Sequence, residues 1–580
     1  MLRHISLSGK WKFVLDLQNR GLAWGKYQKR TPSGIYPEGA GDLHSHFDDL
    51  LLDEVTVPGN WQKYRPEYKY YEGAAFFIRY FDRPVLAEGE RVFLHIEGVS
   101  YRARFFLNDH EVGSLNYPYL PANIEITSCL LDINYLVIRV EGASRPEDSL
   151  PQFGWDNCAG LIRPVSLQIT GRKCFDLVLV NTINNFAAKQ GQIKLRATAK
   201  FSQNDILVWK ITGENTDFSG TIDLDDNYTC EWISPALMVT FWTPEVPVLY
   251  DFELTWKDKA GKILDIFQTK IGFREFIAQS GKFMLNGKNI FIRGISRHHL
   301  HPDYGMTMPE SVMLDDLLLV KELGCNFIRL PHYPQNTEVL DACDKLGLLV
   351  WVEIPFYWDA TLANPVTREQ IYGQLEAMVR RDYNHPAVAI WSMANEINSE
   401  KPEALECLQC CREIIQRYDS VRPVTFASWP RHASNNLGLQ AVDICCLNRY
   451  RGWYDPNPEL IGGELDSMRN LYPDKPVLLT EFGAGAEPGR YSQKLEKWSE
   501  EYQAELLANI VQQARSHANG CIIWVLADFN DPSRVSQKVS HGYINNKGLL
   551  SDDRKHRKLS FERVKTIYNQ WKLADEKEFV

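Results

Sequence analysis

The sequence predicts a multidomain protein in which two all-β sandwiches precede a (β/α)8 barrel, also called a TIM barrel. The chain has 580 residues, which is too many for one hydrophobic core. Its first half contains short runs in which apolar and polar residues alternate, whereas its second half alternates strand-like apolar runs with amphipathic runs of helical length. We therefore expect three domains, at residues 1–171, 172–274 and 275–580.

The first two domains are predicted from strands with a period of two residues. Residues 91–97, 103–107 and 135–140 alternate in this way and are separated by turns such as Asn108-Asp109, a pattern typical of a β-sandwich. Strand-like runs continue as far as residue 256, so we expect a second, smaller sandwich. Neither segment contains a polar cluster that indicates a catalytic site.

The third domain is predicted from eight strand-like runs after Gly272. They lie at residues 290–295, 326–330, 349–354, 388–394, 424–428, 443–447, 477–481 and 521–526. Two of the amphipathic segments between them end at a glycine, Gly324 and Gly347, as helices commonly do. Eight such repeats are what a (β/α)8 barrel requires, and catalytic residues in these barrels lie at the carboxyl ends of the strands.

Two of the predicted barrel strands end in a glutamate. The fourth run leads into Asn395-Glu396, and the seventh leads into Glu481. Two carboxyl groups presented in this way are what a retaining glycosidase needs, because one serves as acid/base and the other as nucleophile. The alternative interpretation is that each glutamate only ends a strand and faces water.

Composition excludes several partners. The formal net charge is −10 and the chain has no long basic run, so we predict no nucleic-acid partner. No apolar stretch reaches membrane-spanning length, and no signal-peptide core follows Met1. Twelve scattered cysteines are typical of buried thiols in a reducing compartment. We therefore predict a cytoplasmic protein without a membrane partner.

No metal ion or cofactor is predicted. His298, His299 and His301 follow the first barrel strand, but no paired carboxylates accompany them at the spacing of metal ligands. We expect His298 to lie at the floor of the pocket and the other two histidines to lie on the following loop.

Short motifs in a fixed order extend along nearly the whole chain. They include Leu7-Ser8-Gly9-Lys10-Trp11, Val57-Pro58-Gly59-Asn60-Trp61, Gly160-Leu161-Ile162-Arg163-Pro164, Trp242-Thr243-Pro244-Glu245, Asn395-Glu396 and Thr480-Glu481-Phe482-Gly483. These motifs resemble glycoside hydrolase family 2, the β-galactosidase/β-glucuronidase family. The resemblance implies that the first sandwich is a jelly roll, that the second is immunoglobulin-like, and that the barrel is catalytic.

The resemblance also implies roles for individual residues. Glu396 would be the general acid/base and Glu481 the nucleophile, so their pKa values must differ. Arg329 would keep Glu481 charged, although a buried structural ion pair is an equal alternative. Asn395 is suited to bind the sugar 2-hydroxyl, and Tyr450 is suited to contact the nucleophile.

Three further side chains are expected at the pocket from the same resemblance. Trp524 ends the eighth strand, where the family places an indole against the sugar ring; the alternative is that it only packs in the core. His298 and His332 belong to motifs of the family and are predicted to contact substrate.

Two segments favour the β-glucuronidase branch of the family. The run from Asn448 to Tyr454 is similar to that branch, particularly in Trp453 and Tyr454, and we expect Asn448 and Tyr454 to contact the substrate. Asn545 and Lys547 fit the Asn-x-Lys motif with which β-glucuronidases hold the substrate carboxylate, because an ammonium and an amide donor form charge-assisted hydrogen bonds with a uronic acid. Outside this family, the same residues are a good turn sequence.

The choice of sugar stays open at two positions. His541 stands where β-glucuronidases commonly have an arginine, and Gly154 stands where they have an aspartate, with Asp156 nearby. We predict an exo-acting, retaining β-glucuronidase whose partner is a carbohydrate. The alternatives are a β-galactosidase or a β-galacturonidase, and a carbohydrate-binding protein on an inactive scaffold. The last of these requires one of the two glutamates to be missing. Family members often form homo-oligomers through the sandwich domains, and the sequence fixes no subunit number.

Overall fold

The amino-terminal part of the chain forms two antiparallel sheets. A computed structural model describes residues 2–17, 28–31, 34–38, 52–213, 216–224, 228–358, 360–429, 435–531 and 543–578. The four-stranded sheet contains, in spatial order, Arg3–Ser6, Val165–Thr170, Arg91–Ile96 and Ala122–Glu125. The six-stranded sheet contains Asp53–Val57, Gly9–Asp16, Ala74–Asp82, Ile133–Glu141, Arg102–Leu107 and His110–Leu115. Strands Gln28–Thr31 and Gly34–Glu38 form a separate hairpin.

The two sheets pack face to face through the apolar side chains that each sheet presents to the other. Arg91–Ile96 shows this most clearly, since every second residue is buried. Leu94 and Leu167 from one sheet share a core with Trp11, Phe77 and other residues of the second sheet. The alternation in the sequence therefore predicts which face of each strand is buried.

A second sandwich follows, and both of its sheets have four strands. One contains Leu177–Asn185, Gln190–Thr198, Thr229–Ile233 and the short strand Leu237–Met238, and the other contains Thr216–Asp223, Ile206–Gly213, Tyr250–Lys257 and Ile263–Ile271. Their apolar faces meet in a core that includes Leu195, Trp209 and Trp256. A small three-stranded sheet, Phe276–Gln279, Lys282–Leu285 and Lys288–Asn289, leads into the barrel.

The eight predicted barrel strands are all present, and we number them β1 to β8. They are β1 (Ile292–Ser296), β2 (Phe327–Leu330), β3 (Leu349–Glu353), β4 (Val388–Asn395), β5 (Val424–Ala427), β6 (Cys445–Asn448), β7 (Val477–Glu481) and β8 (Gly520–Ile523). The strands are parallel, and β1 pairs with both β2 and β8. Between β5 and β6, Asp443 N donates to Val424 O at 2.9 Å and Asn448 N to Ser428 O at 2.7 Å, which closes the barrel.

In the part of the chain that the structure describes, seven α-helices surround the strands. They are α1 (Glu310–Glu322), α2 (Thr337–Leu346), α3 (Pro365–Asp382), α4 (Pro402–Gln416), α5 (Ile461–Leu471), α6 (Glu500–His517) and α7 (Leu559–Glu578). The prediction that helices end near Gly324 and Gly347 is confirmed, and both glycines have a left-handed φ, of 85° and 70°. Between β5 and β6, the described residues contain only a 3₁₀ turn, Leu437–Ala441. Among the described residues, no helix combines the length and apolar character needed to cross a membrane.

Arg163 joins the first sandwich to the barrel. Its guanidinium donates to Asn336 Oδ1 at 3.1 Å and to Pro334 O at 2.6 Å, both in the loop between β2 and α2, and also to Tyr119 O within the sandwich. The residue is 3% exposed, so these acceptors have little access to water. This contact fixes the first sandwich beside the carboxyl end of β2.

We therefore predict that Arg163→Met lowers the melting temperature, because it leaves buried carbonyl groups without a donor at a cost of about 2–4 kcal/mol. Arg145→Met is the matched control, since the Arg145 side chain is 50% exposed in a surface ion pair with Glu141. Equal melting temperatures for the two variants would contradict the assigned role of Arg163.

Candidate active site

The predicted site residues lie at the carboxyl end of the barrel. Arg329 is in β2, Asn395 ends β4, Glu396 follows it, and Glu481 ends β7. Because all eight strands are parallel, their carboxyl ends open on the same side, and these side chains converge there. The structure therefore brings together the residues that the strand pattern placed at strand ends.

Arg329 is the centre of this cluster. Its Nη1 donates to Glu481 Oε1 at 2.6 Å, and its Nη2 donates to Asn395 Oδ1 at 2.9 Å and to the two carboxylate oxygens of Glu353 at 3.1 and 3.2 Å. Burial alone would lower the pKa of Arg329, but the charges of Glu353 and Glu481 raise it above its ordinary value. The guanidinium is therefore a permanent cation between two carboxylates.

Glu353 is a buried carboxylate that the sequence analysis missed. It ends β3 and is fully buried, and it accepts hydrogen bonds from His332 N at 2.9 Å, Trp351 Nε1 at 2.8 Å and Ser392 Oγ at 3.0 Å. Burial would raise the pKa of Glu353, but Arg329 and these donors bring it to about 2. Glu353 is thus a fixed negative charge behind Arg329.

The carboxyl group of Glu396 has a different environment. Asn448 Nδ2 donates to its Oε1 at 2.8 Å, and Trp358 Nε1 donates to its Oε2 at 3.0 Å. Burial among protein groups and the charge of Glu481 raise the pKa of Glu396 to about 7, despite these two donors. Glu396 is therefore protonated to a large extent at neutral pH, as a general acid must be.

Glu481 accepts hydrogen bonds on both carboxylate oxygens. Oε1 binds Arg329, and Oε2 accepts from Tyr450 Oη at 2.8 Å. Both donors bind the negatively charged form of the group, as a nucleophilic carboxylate requires. The predicted contact between Tyr450 and this glutamate is present.

Two asparagines beside the glutamates are held in fixed orientations by hydrogen bonds. Asn395 Oδ1 accepts from Arg329 and, at 3.2 Å, from Asn448 Nδ2. Asn448 is fixed in turn by Thr480, whose Oγ1 donates to Asn448 Oδ1 at 2.7 Å. Because the oxygen of Asn395 is engaged by two donors, its amide NH₂ group points the other way, as a donor for a ligand.

An aromatic wall covers one side of the cluster. The ring of Trp524, after β8, lies 5.1 Å from the ring of His332. Trp155 from the first sandwich stacks on the same histidine, with the ring centres 5.6 Å apart and an interplanar angle of 8°. His298 accepts or donates through Nδ1 to Tyr333 Oη at 2.7 Å. Burial, His332 and Arg297 lower the pKa of His298 well below its ordinary value, so its ring is neutral.

The Asn-x-Lys segment lies beyond Tyr450. Lys547 Nζ donates to Tyr454 Oη at 2.9 Å and lies 5.5 Å from the centre of the Tyr450 ring, whose hydroxyl contacts Glu481. Asn545 Nδ2 is buried and has no hydrogen-bond partner among the described residues. The segment passes so close to Asp528 that a Cβ at Gly548 would lie 2.1 Å from Asp528 N, so a glycine is required there.

Three residues at the site have left-handed backbone conformations. His332, Trp358 and Glu396 have φ values of 75°, 45° and 51°, and they follow β2, β3 and β4 respectively. Such conformations are rare for residues with a Cβ and cost of order 1–3 kcal/mol. At these positions the side chains contact the cluster: His332 Nδ1 lies 3.2 Å from Glu353 Oε1, and Trp358 and Glu396 are hydrogen-bonded to each other.

Of the two positions at which the sequence leaves the choice of sugar open, the structure describes only Gly154. Gly154 faces the pocket wall, because a Cβ there would lie 3.1 Å from Tyr357 Oη and 3.4 Å from Trp358 Cη2. Asp156 N donates to Asn530 O at 3.0 Å. His541 lies outside the described residues.

Paired glutamates and a buried arginine at the carboxyl end of a (β/α)8 barrel are the site of a glycoside hydrolase. Residues 277–573 match the TIM barrel domain of glycosyl hydrolases family 2, and residues 177–274 match a further domain of the same family. The chain therefore belongs to glycosyl hydrolases family 2, whose members hydrolyse glycosides with retention of configuration.

Three similar proteins cover nearly all or most of the chain. The β-glucuronidase of Mus musculus is 28% identical over 98% of this chain and 91% of its own length. The β-glucuronidase of Bacteroides fragilis is 28% identical over 83% of this chain and 73% of its own length. The crystal structure of a β-galacturonidase from Eisenbergiella tayi, bound to galacturonate, is 27% identical, covers 98% of this chain and 97% of its own, and superimposes with a TM-score of 0.82.

The site residues that the sequence analysis missed differ in how clear a signal they leave in the sequence. Glu353 follows the apolar run Leu349–Val352, the same signal that led to Glu396 and Glu481. Trp155 and Trp358 lie on loops, and no local pattern indicates that they turn toward the site. Only their position in the folded chain identifies them.

We predict that Glu353→Gln destabilises the protein by about 3–5 kcal/mol, because it removes the fixed negative charge from the buried Arg329. The melting temperature measures this loss, and the exposed Glu400, at the same end of the barrel, supplies the control Glu400→Gln. If Glu353→Gln melted with the control, Glu353 would not compensate the charge of Arg329.

Proposed function

We propose that the protein is an exo-acting β-glucuronidase in which Glu481 is the nucleophile and Glu396 the acid/base. The observation that carries this assignment is the difference between the two carboxyl groups. Glu481 binds the cation Arg329 and the Tyr450 hydroxyl, whereas Glu396 has two neutral donors and a pKa of about 7. One group is thus suited to attack and the other to carry a proton.

The reaction would proceed in two displacements. In the first, a carboxylate oxygen of Glu481 forms a bond to the anomeric carbon while the bond to the aglycone oxygen breaks, and Glu396 gives its proton to that oxygen. In the second, Glu396 takes a proton from water, whose oxygen bonds to the anomeric carbon as the ester to Glu481 breaks. The amide of Asn395 would bind the 2-hydroxyl in both steps.

The uronic acid is proposed from the wall beyond Tyr450. The Lys547 ammonium lies 5.5 Å from the centre of the Tyr450 ring, whose hydroxyl donates to Glu481. Asn545 supplies a buried amide donor. A carboxylate at C5 of the sugar would accept charge-assisted hydrogen bonds from both. We infer that the remaining predicted residues, His298, His332, Tyr454 and Trp524, contact the sugar from the same wall and from the aromatic wall. The β-glucuronidase relatives support this choice.

β-Galacturonidase is the second candidate, and one position favours it. Gly154 provides no carboxylate to a sugar hydroxyl, and its place at the wall is bordered by the rings of Tyr357 and Trp358. Glucuronic and galacturonic acids differ only in the orientation of the 4-hydroxyl, so the loss of one polar contact can change the preferred epimer. The solved β-galacturonidase that resembles this chain supports the same alternative.

We also propose the finer domain organisation and location. The segments 1–171, 172–274 and 275–580 would be a jelly-roll sandwich, an immunoglobulin-like sandwich and the catalytic barrel. All twelve cysteines are free thiols, which supports a cytoplasmic location. The partner would be a glycoside, and self-association through the sandwiches is compatible with the family.

The catalytic assignment predicts that Glu481→Gln lowers kcat by roughly 10³-fold or more, because an amide cannot form the glycosyl ester. For the unmodified protein, kcat/KM should fall above pH 7, since Glu396 must be protonated in the first step and its pKa is about 7. Initial rates with an aryl glycoside across the pH range measure both effects. Wild-type turnover in Glu481→Gln would contradict the assignment, with Glu487→Gln as the control.

The sugar assignment predicts that Lys547→Met lowers kcat/KM for an aryl β-glucuronide roughly 30- to 1,000-fold. This corresponds to a loss of about 2–4 kcal/mol of transition-state binding energy, because the substrate carboxylate loses its charged donor. The same change should leave an aryl β-galactoside nearly unaffected. The control is Lys555→Met, whose side chain is 82% exposed. Equal losses on β-glucuronide, β-galacturonide and β-galactoside would mean that Lys547 does not read the carboxylate.

A further inference from the structure

The loop after β3 places an indole directly on the carboxyl group of Glu396. Trp358 Nε1 donates to Oε2 at 3.0 Å, while Asn448 Nδ2 occupies Oε1 at 2.8 Å. An indole N–H is a donor only and cannot accept a proton. It therefore binds the ionised carboxylate more strongly than the neutral acid.

We propose that Trp358 is a positioning residue for the acid/base group, holding the carboxyl of Glu396 in place and favouring its ionised form. We further infer that Gly154 of the first sandwich leaves space for the hydroxyl of Tyr357, whose ring packs on this indole. The inference rests on the proposed function, because it assigns the proton transfers to Glu396.

Three contacts hold the indole in position. Trp358 has a left-handed φ of 45°, and its backbone N–H donates to Asn395 O at 3.2 Å, at the end of β4. The ring of Tyr357 lies 4.2 Å from the Trp358 ring. On the far side, a Cβ at Gly154 would lie 3.4 Å from Trp358 Cη2 and 3.1 Å from Tyr357 Oη. The indole is thus confined between the barrel and a loop of the sandwich.

The charges around Glu396 explain why such a donor matters. Glu481 of β7 faces it with a negative charge, Arg329 of β2 faces it with a positive charge that Glu353 of β3 partly compensates, and the phenol of Tyr450 lies beside it. Burial and Glu481 favour the protonated form of Glu396, whereas Asn448, Trp358 and Arg329 favour the ionised form.

The two displacements require both forms in turn. Glu396 must carry a proton in the first step and lose it before the second, when it acts as a base. Formation of the glycosyl ester removes the negative charge of Glu481, and the donor from Trp358 then favours the carboxylate that the second step needs. Trp358 thus supports the change from acid to base.

The test compares Trp358→Phe with Trp429→Phe, an exposed tryptophan after β5 that is 51% accessible. The substrate is whichever aryl glycoside, β-glucuronide, β-galacturonide or β-galactoside, the wild type hydrolyses best. For Trp358→Phe we expect the alkaline limb of kcat/KM and the acid limb of kcat to move up by about one pH unit each, as the loss of one hydrogen bond to a charged group implies. Trp429→Phe should keep both limbs.

Azide provides a readout that a structural defect would not give. With an activated aryl leaving group, azide attacks the anomeric carbon and displaces Glu481 without needing a base. Added azide should therefore restore most of the turnover that Trp358→Phe loses on the acid limb, where the ionised fraction falls about tenfold. Unchanged limbs, or a loss that azide does not relieve, would overturn the role of Trp358.

Gly154→Ala is the second variant, because its methyl group would lie 3.1 Å from the Tyr357 hydroxyl and displace the ring that packs on Trp358. We expect a smaller shift of the limbs in the same direction in the wild-type background and no added shift in Trp358→Phe. Equal shifts in both backgrounds would separate Gly154 from Trp358 and overturn that part of the inference. Full activity of Glu481→Gln would instead contradict the proposed function itself, independently of either result.

Discussion

The ion triad of Glu353, Arg329 and Glu481 is the interaction on which the rest of the site depends. A guanidinium is strongly destabilised inside a barrel unless its charge is compensated, and here two carboxylates do so on opposite sides. Because Arg329 is almost completely buried, it cannot rotate out to water. The position of the proposed nucleophile is therefore set by a carboxylate that cannot reach the substrate.

The same triad separates the behaviour of the two glutamates. Glu481, at the end of β7, lies against a cation and a phenol, whereas Glu396, just after β4, has only neutral donors on its oxygens. Neither glutamate has an unusual local sequence. Their different chemistry results from the groups that other strand ends place beside each one, and from the charge of Glu481, which raises the pKa of Glu396.

Much of the fold could be predicted because each barrel strand is a short, largely apolar run, and such runs form the buried strands of a parallel sheet. The same reasoning located Glu396 and Glu481, since a polar residue directly after a buried strand must lie at the barrel end. It could equally have located Glu353. Trp155 and Trp358 could not be found in this way, because a stacked ring and an indole hydrogen bond depend on loops that meet only in the folded protein. Among the described residues between β5 and β6 the structure has a 3₁₀ turn, Leu437–Ala441, in place of a barrel helix, and the sequence analysis did not predict this turn.

The stacking of Trp155 on His332 has a consequence for the architecture. The barrel by itself would lack one side of the pocket wall at its carboxyl end, because the amino-terminal sandwich supplies Trp155 to that wall and is held there by Arg163. The isolated barrel domain would therefore bind sugar poorly, even if it folded. Evolution of substrate choice in such a chain can proceed by changes hundreds of residues away from the reacting carboxyl groups, in a module that performs no chemistry.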